Sequence, residues 1–184
     1  MNSFNQIKNF KKFNVVGTSG SGKSTLSKKL AQKINGRYIG LDELNWLPNW
    51  QSCNDEELFK KLKEELNCDA WVVDGNYNRT AEIKWKEVEA IVWIDLPFWL
   101  TFYQAVTRAL KRTLSGKELW PGTGNVETFS RTFLSRDSVL LWTITSYKRV
   151  KKRYLELMEN PINEDVKFYR LRSRREVKAF IDSI

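Results

Sequence analysis

Eight consecutive residues, Gly17-Thr18-Ser19-Gly20-Ser21-Gly22-Lys23-Ser24, satisfy the spacing G-x-x-x-x-G-K-[ST]. Glycines at these places let backbone N–H groups converge on phosphate oxygens with no Cβ in the way. A helix opening at Gly22–Lys23 would aim the positive end of its dipole at the same anion. Lys23 is then the mobile charge for the β- and γ-phosphates of a nucleoside triphosphate, and the Ser24 hydroxyl is a ligand for Mg²⁺. Such a site uses a second carboxylate, commonly through water, at the end of a neighbouring strand. Asp74 follows the apolar run Trp71-Val72-Val73, and Asp95 follows Val92-Trp93-Ile94. Asp95 runs into Leu96-Pro97, a turn signal, so Asp74 is the favoured one.

Moving a phosphoryl group also needs positive charge around it. Arg108 and Arg112 lie four apart on one expected helix face, and Arg131 and Arg136 follow a glycine-rich stretch. These four are candidates for closing over the phosphates. The plainer reading of each is a solvent-facing helix arginine. On the acceptor side, residues 38–78 contain no arginine. An arginine fork is the usual partner of a phosphate dianion, so an acceptor phosphate would depend on Arg79 or on the lid arginines. The segment offers Asp42, Glu43, Trp46 and Trp50 instead. A carboxylate can take a hydroxyl proton, which makes Asp42 the candidate base. Trp46 is the leading candidate to stack on a ring; ordinary core packing is its alternative.

The elements that must hold these residues alternate. Residues 13–16 read as a strand before the glycine turn. Leu26, Leu30 and Ile34 then mark a helix over 23–34, ended by Asn35-Gly36. Residues 37–41 form a weak strand and 42–53 a loop. Asn54 with Glu57 makes a capping box for a helix whose stripe is Leu58, Leu62 and Leu66. Strands follow at 71–73 and 90–94; the latter is a continuous apolar run of the kind buried on both faces of a parallel sheet. An apolar helix spans 98–114, a loop or lid 115–125, and a broken helix 126–159. A strand at 166–171 and a helix opened by the Ser173/Glu176 capping box complete the chain. This alternation implies an α/β fold with a parallel sheet and helices on both faces. It reads as one domain over 1–184, with a loose basic arm at 1–12, an acceptor-side segment at 42–70 and a small lid region at 115–136.

The chain has 184 residues, 31 Lys+Arg, 22 Asp+Glu and no histidine, for a net charge of +9. Without histidine there is no Ser-His-Asp triad, no Cys-His nucleophile and no Cys/His zinc site. Two cysteines make no disulfide scaffold and fit a reducing compartment. No run of 18 apolar residues suggests a membrane span, and the polar start lacks the apolar core of a secretory signal, so a cytoplasmic location is expected. Residues 101–153 carry 11 Lys+Arg against 3 Asp+Glu. Such a surface attracts polyanions.

Several segments together resemble the adenylate-kinase-related DNA topology modulation proteins. These are the phosphate loop through Thr25, Leu41-Asp42-Glu43-Leu44-Asn45-Trp46, and Trp71-Val72-Val73-Asp74-Gly75-Asn76-Tyr77. Glu118-Leu119-Trp120, Ser135-Arg136-Asp137-Ser138 and Leu171-Arg172-Ser173 match as well. The resemblance covers nearly the whole chain after the arm. It implies a P-loop NTPase fold with sheet order 2-3-1-4-5, and an adenine bordered by the loop at Arg172. It also places Asn76, Tyr77 and Arg79 beside the acceptor. Adenylate kinase itself is a looser match: Asp74-Gly75 starts its acceptor segment, but the arginine falls one residue later and Phe-Pro is missing.

The expected activity is MgATP-dependent phosphoryl transfer to a small acceptor: a nucleoside, a nucleotide or a small alcohol. An NTP hydrolase or switch is a second reading, although no guanine-recognition motif and no ABC-type signature are present. A third is a nucleic-acid-associated protein with a regulatory nucleotide site. The charge permits that reading, but no recognisable nucleic-acid-binding module supports it.

Overall fold

Short apolar runs separated by amphipathic helices assemble here into a single parallel sheet. The computed structural model describes residues 7–130, 132, 138–159 and 166–184, with backbone only for 139 and 140. The chain opens with β1 (Lys12–Gly17), α1 (Lys23–Lys33), β2 (Arg37–Gly40) and α2 (Leu41–Asn45). It continues through β3 (Trp46–Leu47), β4 (Gln51–Ser52), α3 (Asp55–Leu66), β5 (Trp71–Asp74) and α4 (Ala81–Lys84). The second half holds β6 (Ala90–Ile94), α5 (Phe98–Ser115), α6 (Val139–Glu159), β7 (Lys167–Leu171) and α7 (Arg174–Asp182).

The main sheet has the order β2-β5-β1-β6-β7, all parallel. Counted among its own strands this is 2-3-1-4-5, as expected. Its central strands are buried along almost their whole length, as continuous apolar runs require. Side chains alternate between two cores. Phe13, Val15, Val72, Val92 and Ile94 face Leu26, Leu30 and Phe180 of α1 and α7. Val16, Val73, Ile91 and Trp93 face Leu62, Trp85 and Tyr154 on the other side. The register sets Asp74 level with Gly40 and Val15, and Gly17 level with Ile94. The carboxyl ends of four strands therefore meet along one edge, where open α/β sheets bind ligands.

Both capping boxes form: Asn54 Oδ1 accepts from Glu57 N at 2.8 Å, and Ser173 Oγ from Glu176 N at 3.1 Å. Three sequence expectations need correction. The loop expected over 42–53 is α2 followed by the β3–β4 hairpin, whose turn at Pro48–Trp50 places Asn49 and Trp50 at positive φ. Within the arm expected over 1–12, the described residues 7–12 are not loose: Ile7 is buried in the first core, and Lys12 pairs in β1. Of the broken helix expected over 126–159, residues 126–128 are not helical, residues 129, 130 and 132 are, and the second part runs over Val139–Glu159; most of the break expected near Ser135–Ser138 lies outside the described residues. Among the described residues, no helix is long and apolar enough to cross a membrane.

Candidate functional site

β1 delivers the chain to the phosphate loop at Gly17, and α1 leaves it at Lys23. Two of the glycines are sterically required. A Cβ on Gly17 (φ 145°) would sit 2.7 Å from the Ile94 carbonyl oxygen. One on Gly20 (φ 82°) would meet the Thr101 carbonyl at 2.6 Å and Ala105 Cβ at 2.8 Å. Small residues on the buried face of α5, Ala105 and Ala109, permit this close approach. Gly22 caps α1 with no side-chain bond, which leaves the first N–H groups of the helix to an incoming anion. The side chain of Asn76 brackets the loop entrance: Gly17 N donates to its Oδ1 (3.0 Å) and its Nδ2 donates to Gly17 O (2.8 Å). Lys23 Nζ donates to Thr18 O at 3.0 Å. Burial lowers the pKa of that ammonium; Asp74 and Asp42 oppose the shift, and Arg108 reinforces it.

The two strand-end carboxylates have different environments. Asp95 accepts Arg170 Nε (2.9 Å) and Nη2 (2.5 Å), with Lys151 Nζ at 3.7 Å. Among the described residues, Asp74, 7% exposed, accepts only the Tyr38 hydroxyl, at 3.0 Å on Oδ2, and its Oδ1 is buried with no partner. Tyr38 also interacts with the Ser24 hydroxyl, and burial followed by the Asp74 charge raises the pKa of its phenol. Ser24, Tyr38 and Asp74 thus form one group beside the phosphate loop. A free carboxylate oxygen next to a hydroxyl fits a water-rich magnesium ion. Among the described residues, no cluster of three or more His, Cys, Asp or Glu side chains could hold a metal alone. An ion shared with phosphates matches that sparse donor set.

An open cleft of about 730 Å³ runs from the loop along α5 to α7. Gly20 to Thr25, Arg108, Arg112 and Arg174 line it, with Val177 and Ile181 at the α7 end. Arg108 Nη2 donates to Ser19 Oγ at 2.7 Å. Its pKa is lowered by burial and then by Arg112. Arg112 is held at 3.2 Å by Glu127, a buried carboxylate of the lid region. Arg131 and Arg136 lie outside the described residues. Arg172 is exposed, and its N–H donates to Glu176. The neighbouring Arg174 lines the cleft instead. It donates to Gln104 Oε1 (2.7 Å), and Gln104 Nε2 donates to Gly20 O (2.7 Å), so α7 is linked to the loop.

On the acceptor side, Asp42 accepts the Tyr77 hydroxyl at 2.8 Å and lies within the electrostatic reach of Lys23 and Arg108. Burial, and then the Asp42 charge, push the Tyr77 phenol upward. Arg79 is already engaged: it pairs with Asp55 and donates to Asn45 Oδ1 and Cys53 O. Trp46 packs against two other tryptophans. It stacks on Trp120 of the lid region at 5.8 Å, and Trp50 meets both rings edge-on at 6.0 and 5.7 Å. Asn125, 2% exposed, ties the lid to the hairpin by donating to Leu47 O (2.9 Å) and accepting from Trp50 N (3.0 Å).

Sequence reasoning missed Tyr38, Gln104, Glu127, Asn125 and Arg174. Only Arg174 carried a signal, as a cation next to a helix cap at a strand's carboxyl end.

No family model and no curated protein matches the sequence. Among solved structures, the chain is similar to a sugar kinase from Janibacter sp. HTCC2649, determined without ligand. The two are 15% identical over 94% of this chain and 91% of that one, with a TM-score of 0.51. A gluconokinase from Sinorhizobium meliloti 1021 is 18% identical over 94% of this chain and 91% of that one, with a TM-score of 0.45. The motif at 17–24, the sheet order and the likeness to the sugar-kinase structure together define an α/β protein of the P-loop kinase fold.

Proposed function

We propose that the protein is an MgATP-dependent phosphotransferase whose acceptor is a small uncharged hydroxyl compound, a nucleoside or small alcohol in preference to a nucleotide. The observation that carries this reading is the pairing of Asp42 with Tyr77 in the field of Lys23, while the one acceptor-side arginine is committed to Asp55. The backbone nest and Lys23 bind the triphosphate. Ser24 and Asp74 hold the magnesium ion, which supplies charge neutralisation on the phosphates. Asp42 orients the acceptor hydroxyl and takes its proton. Arg108 and Arg112, with Arg131 and Arg136 from the lid region, balance the charge of the moving phosphoryl group. The basic lid side excludes water that would otherwise consume the phosphoryl group.

The finer assignment to the DNA topology modulation proteins, and a cytoplasmic location, belong to this proposal as well. The test is a screen of nucleosides, nucleotides and small alcohols, read as ADP formation with Mg²⁺, with a duplex DNA arm. ADP formation that requires a hydroxyl acceptor supports transfer. Hydrolysis that no acceptor stimulates, or that duplex DNA alone stimulates, refutes it.

A further inference from the structure

Lys84 ends the single turn of α4 and is completely buried. Among the described residues, no carboxylate lies within ion-pair distance of it. Its ammonium instead meets three consecutive backbone carbonyls: Gly75 O at 3.4 Å, Asn76 O at 3.1 Å and Tyr77 O at 3.1 Å. An ammonium has three donors and no acceptor, so this set satisfies it completely. Burying a cation without a counter-charge is costly, and burial does lower the pKa of Lys84. A methionine of similar length would fill the same space without that cost.

What the three carbonyls shape is the 75–77 loop, which touches both the entrance of the phosphate loop and the carboxylate Asp42. Gly75 N donates to Val15 O in β1 at 3.1 Å. The side chain of Asn76 brackets Gly17 at the mouth of the phosphate loop, and its Oδ1 also accepts the Tyr154 hydroxyl at 3.2 Å. The Tyr77 hydroxyl holds Asp42. Asp74, whose Oδ1 has no partner among the described residues, directly precedes the loop. Asn14, buried inside β1, completes the surround. It donates to Val73 O (3.0 Å) and Gly75 O (3.2 Å) and accepts from Trp85 Nε1 (2.8 Å). Turning three successive carbonyls toward one buried point fixes the backbone from which the Asn76 amide and the Tyr77 phenol project.

We infer that Lys84 is a positioning residue: by gathering the carbonyls of Gly75, Asn76 and Tyr77 it holds the phosphate-loop entrance and the acceptor-side carboxylate Asp42 in a common frame. This inference rests on the function proposed above, but its test does not depend on it. Without the ammonium, Gly75 O keeps Asn14 Nδ2 and Tyr77 O keeps the Thr80 N–H and hydroxyl, while Asn76 O loses its one donor among the described residues, so the loop is released at its centre, the residue that brackets Gly17. A residue that only fills the core would lower stability without moving Gly17 or Asp42.

The experiment uses the full chain carrying Lys84→Met, with Lys84→Gln as a neutral variant that keeps two of the donors. Amide hydrogen exchange is read at Gly17, Gly75 and the mid-sheet residues Val72 and Val92, and binding is read with MgADP. For Lys84→Met we expect exchange at Gly17 and Gly75 to rise about tenfold or more while Val72 and Val92 keep wild-type protection. The MgADP Kd should weaken about tenfold in parallel, and Lys84→Gln should recover part of both effects. A folded Lys84→Met protein with wild-type exchange at Gly17 overturns the inference. So does exchange that rises uniformly through the sheet, or failure of both variants to fold, since each reduces Lys84 to a packing role. If the wild type binds no MgADP, the proposed function fails, while the exchange pattern still decides the role of Lys84.

Discussion

The proposed nucleotide side and the proposed acceptor side of the site are built in opposite ways. The nucleotide side is one contiguous segment, residues 17–24, whose working groups are backbone N–H donors and two adjacent side chains. Its geometry follows from glycines packed against β6 and α5 and from an uncapped helix start. The acceptor side is gathered from α2, the β3–β4 hairpin, the 75–77 loop and the lid. Side-chain contacts hold it: Tyr77 on Asp42, Trp46 on Trp120, and Asn125 across the hairpin. A site of the first kind tolerates changes around it as long as the loop survives. A site of the second kind changes specificity whenever one of its pieces changes, because each piece is set by only a few contacts.

Substitutions that strike one side and spare the other can break or sharpen this contrast. The largest effect is expected at Lys23→Ala, which should abolish turnover while circular dichroism and melting stay close to wild type, because the side chain lies on the phosphate loop and in neither hydrophobic core. Wild-type turnover in the purified variant would refute the phosphate-loop assignment. Next comes Asp42→Asn, for which kcat should fall about 10²–10⁴-fold with little change in ATP affinity. A comparable loss of MgATP binding would move Asp42 to the metal side of the cleft.

Trp46→Ala should act only on the acceptor side. It removes a ring worth about 0.5–1.5 kcal/mol in its pairing with Trp120 and about 1–3 kcal/mol in any stacking on substrate. The acceptor KM should therefore rise about ten- to a hundred-fold while the ATP KM holds. A variant that melts far lower yet keeps its acceptor KM in the cold would make Trp46 a packing residue of the hairpin. The smallest expected effect on catalysis is at Asp95. Asp95→Asn breaks the charged pair with Arg170 and should cost about 2 kcal/mol in thermal or denaturant unfolding, with kcat unchanged.

The same contrast explains what could be read from the chain itself. The phosphate loop is legible because its chemistry is local and its spacing has one physical solution. The strand order was reached through the resemblance, and the buried apolar runs at 71–74 and 90–94 agree with it. Choosing Asp74 over Asp95 rested on a turn signal; the pairing of Asp95 with Arg170 is a tertiary contact that no local pattern encodes. Charge and place on a helix make Arg108 a candidate for the phosphates, but its anchor on the phosphate loop is not legible, because Ser19, its partner, lies 89 residues away. The sequence leaves Trp46 open between stacking on a ring and core packing, because the ring that covers one of its faces comes from the lid region. Asn14 is a polar residue inside an apolar strand. Its spacing hints at a buried network, but not at the Trp85 indole that completes it.

The central claim, an MgATP-dependent transfer to an uncharged hydroxyl, is tested most directly by matched pairs of acceptors. Each pair is a hydroxyl compound and its own phosphate ester, assayed for phosphoryl transfer by product mass. With Arg79 engaged by Asp55 and no other arginine in residues 38–78, the uncharged member should be used with a kcat/KM at least about tenfold higher. Preference for the phosphate ester, or ATP consumption without a phosphorylated product from either member, would contradict the account.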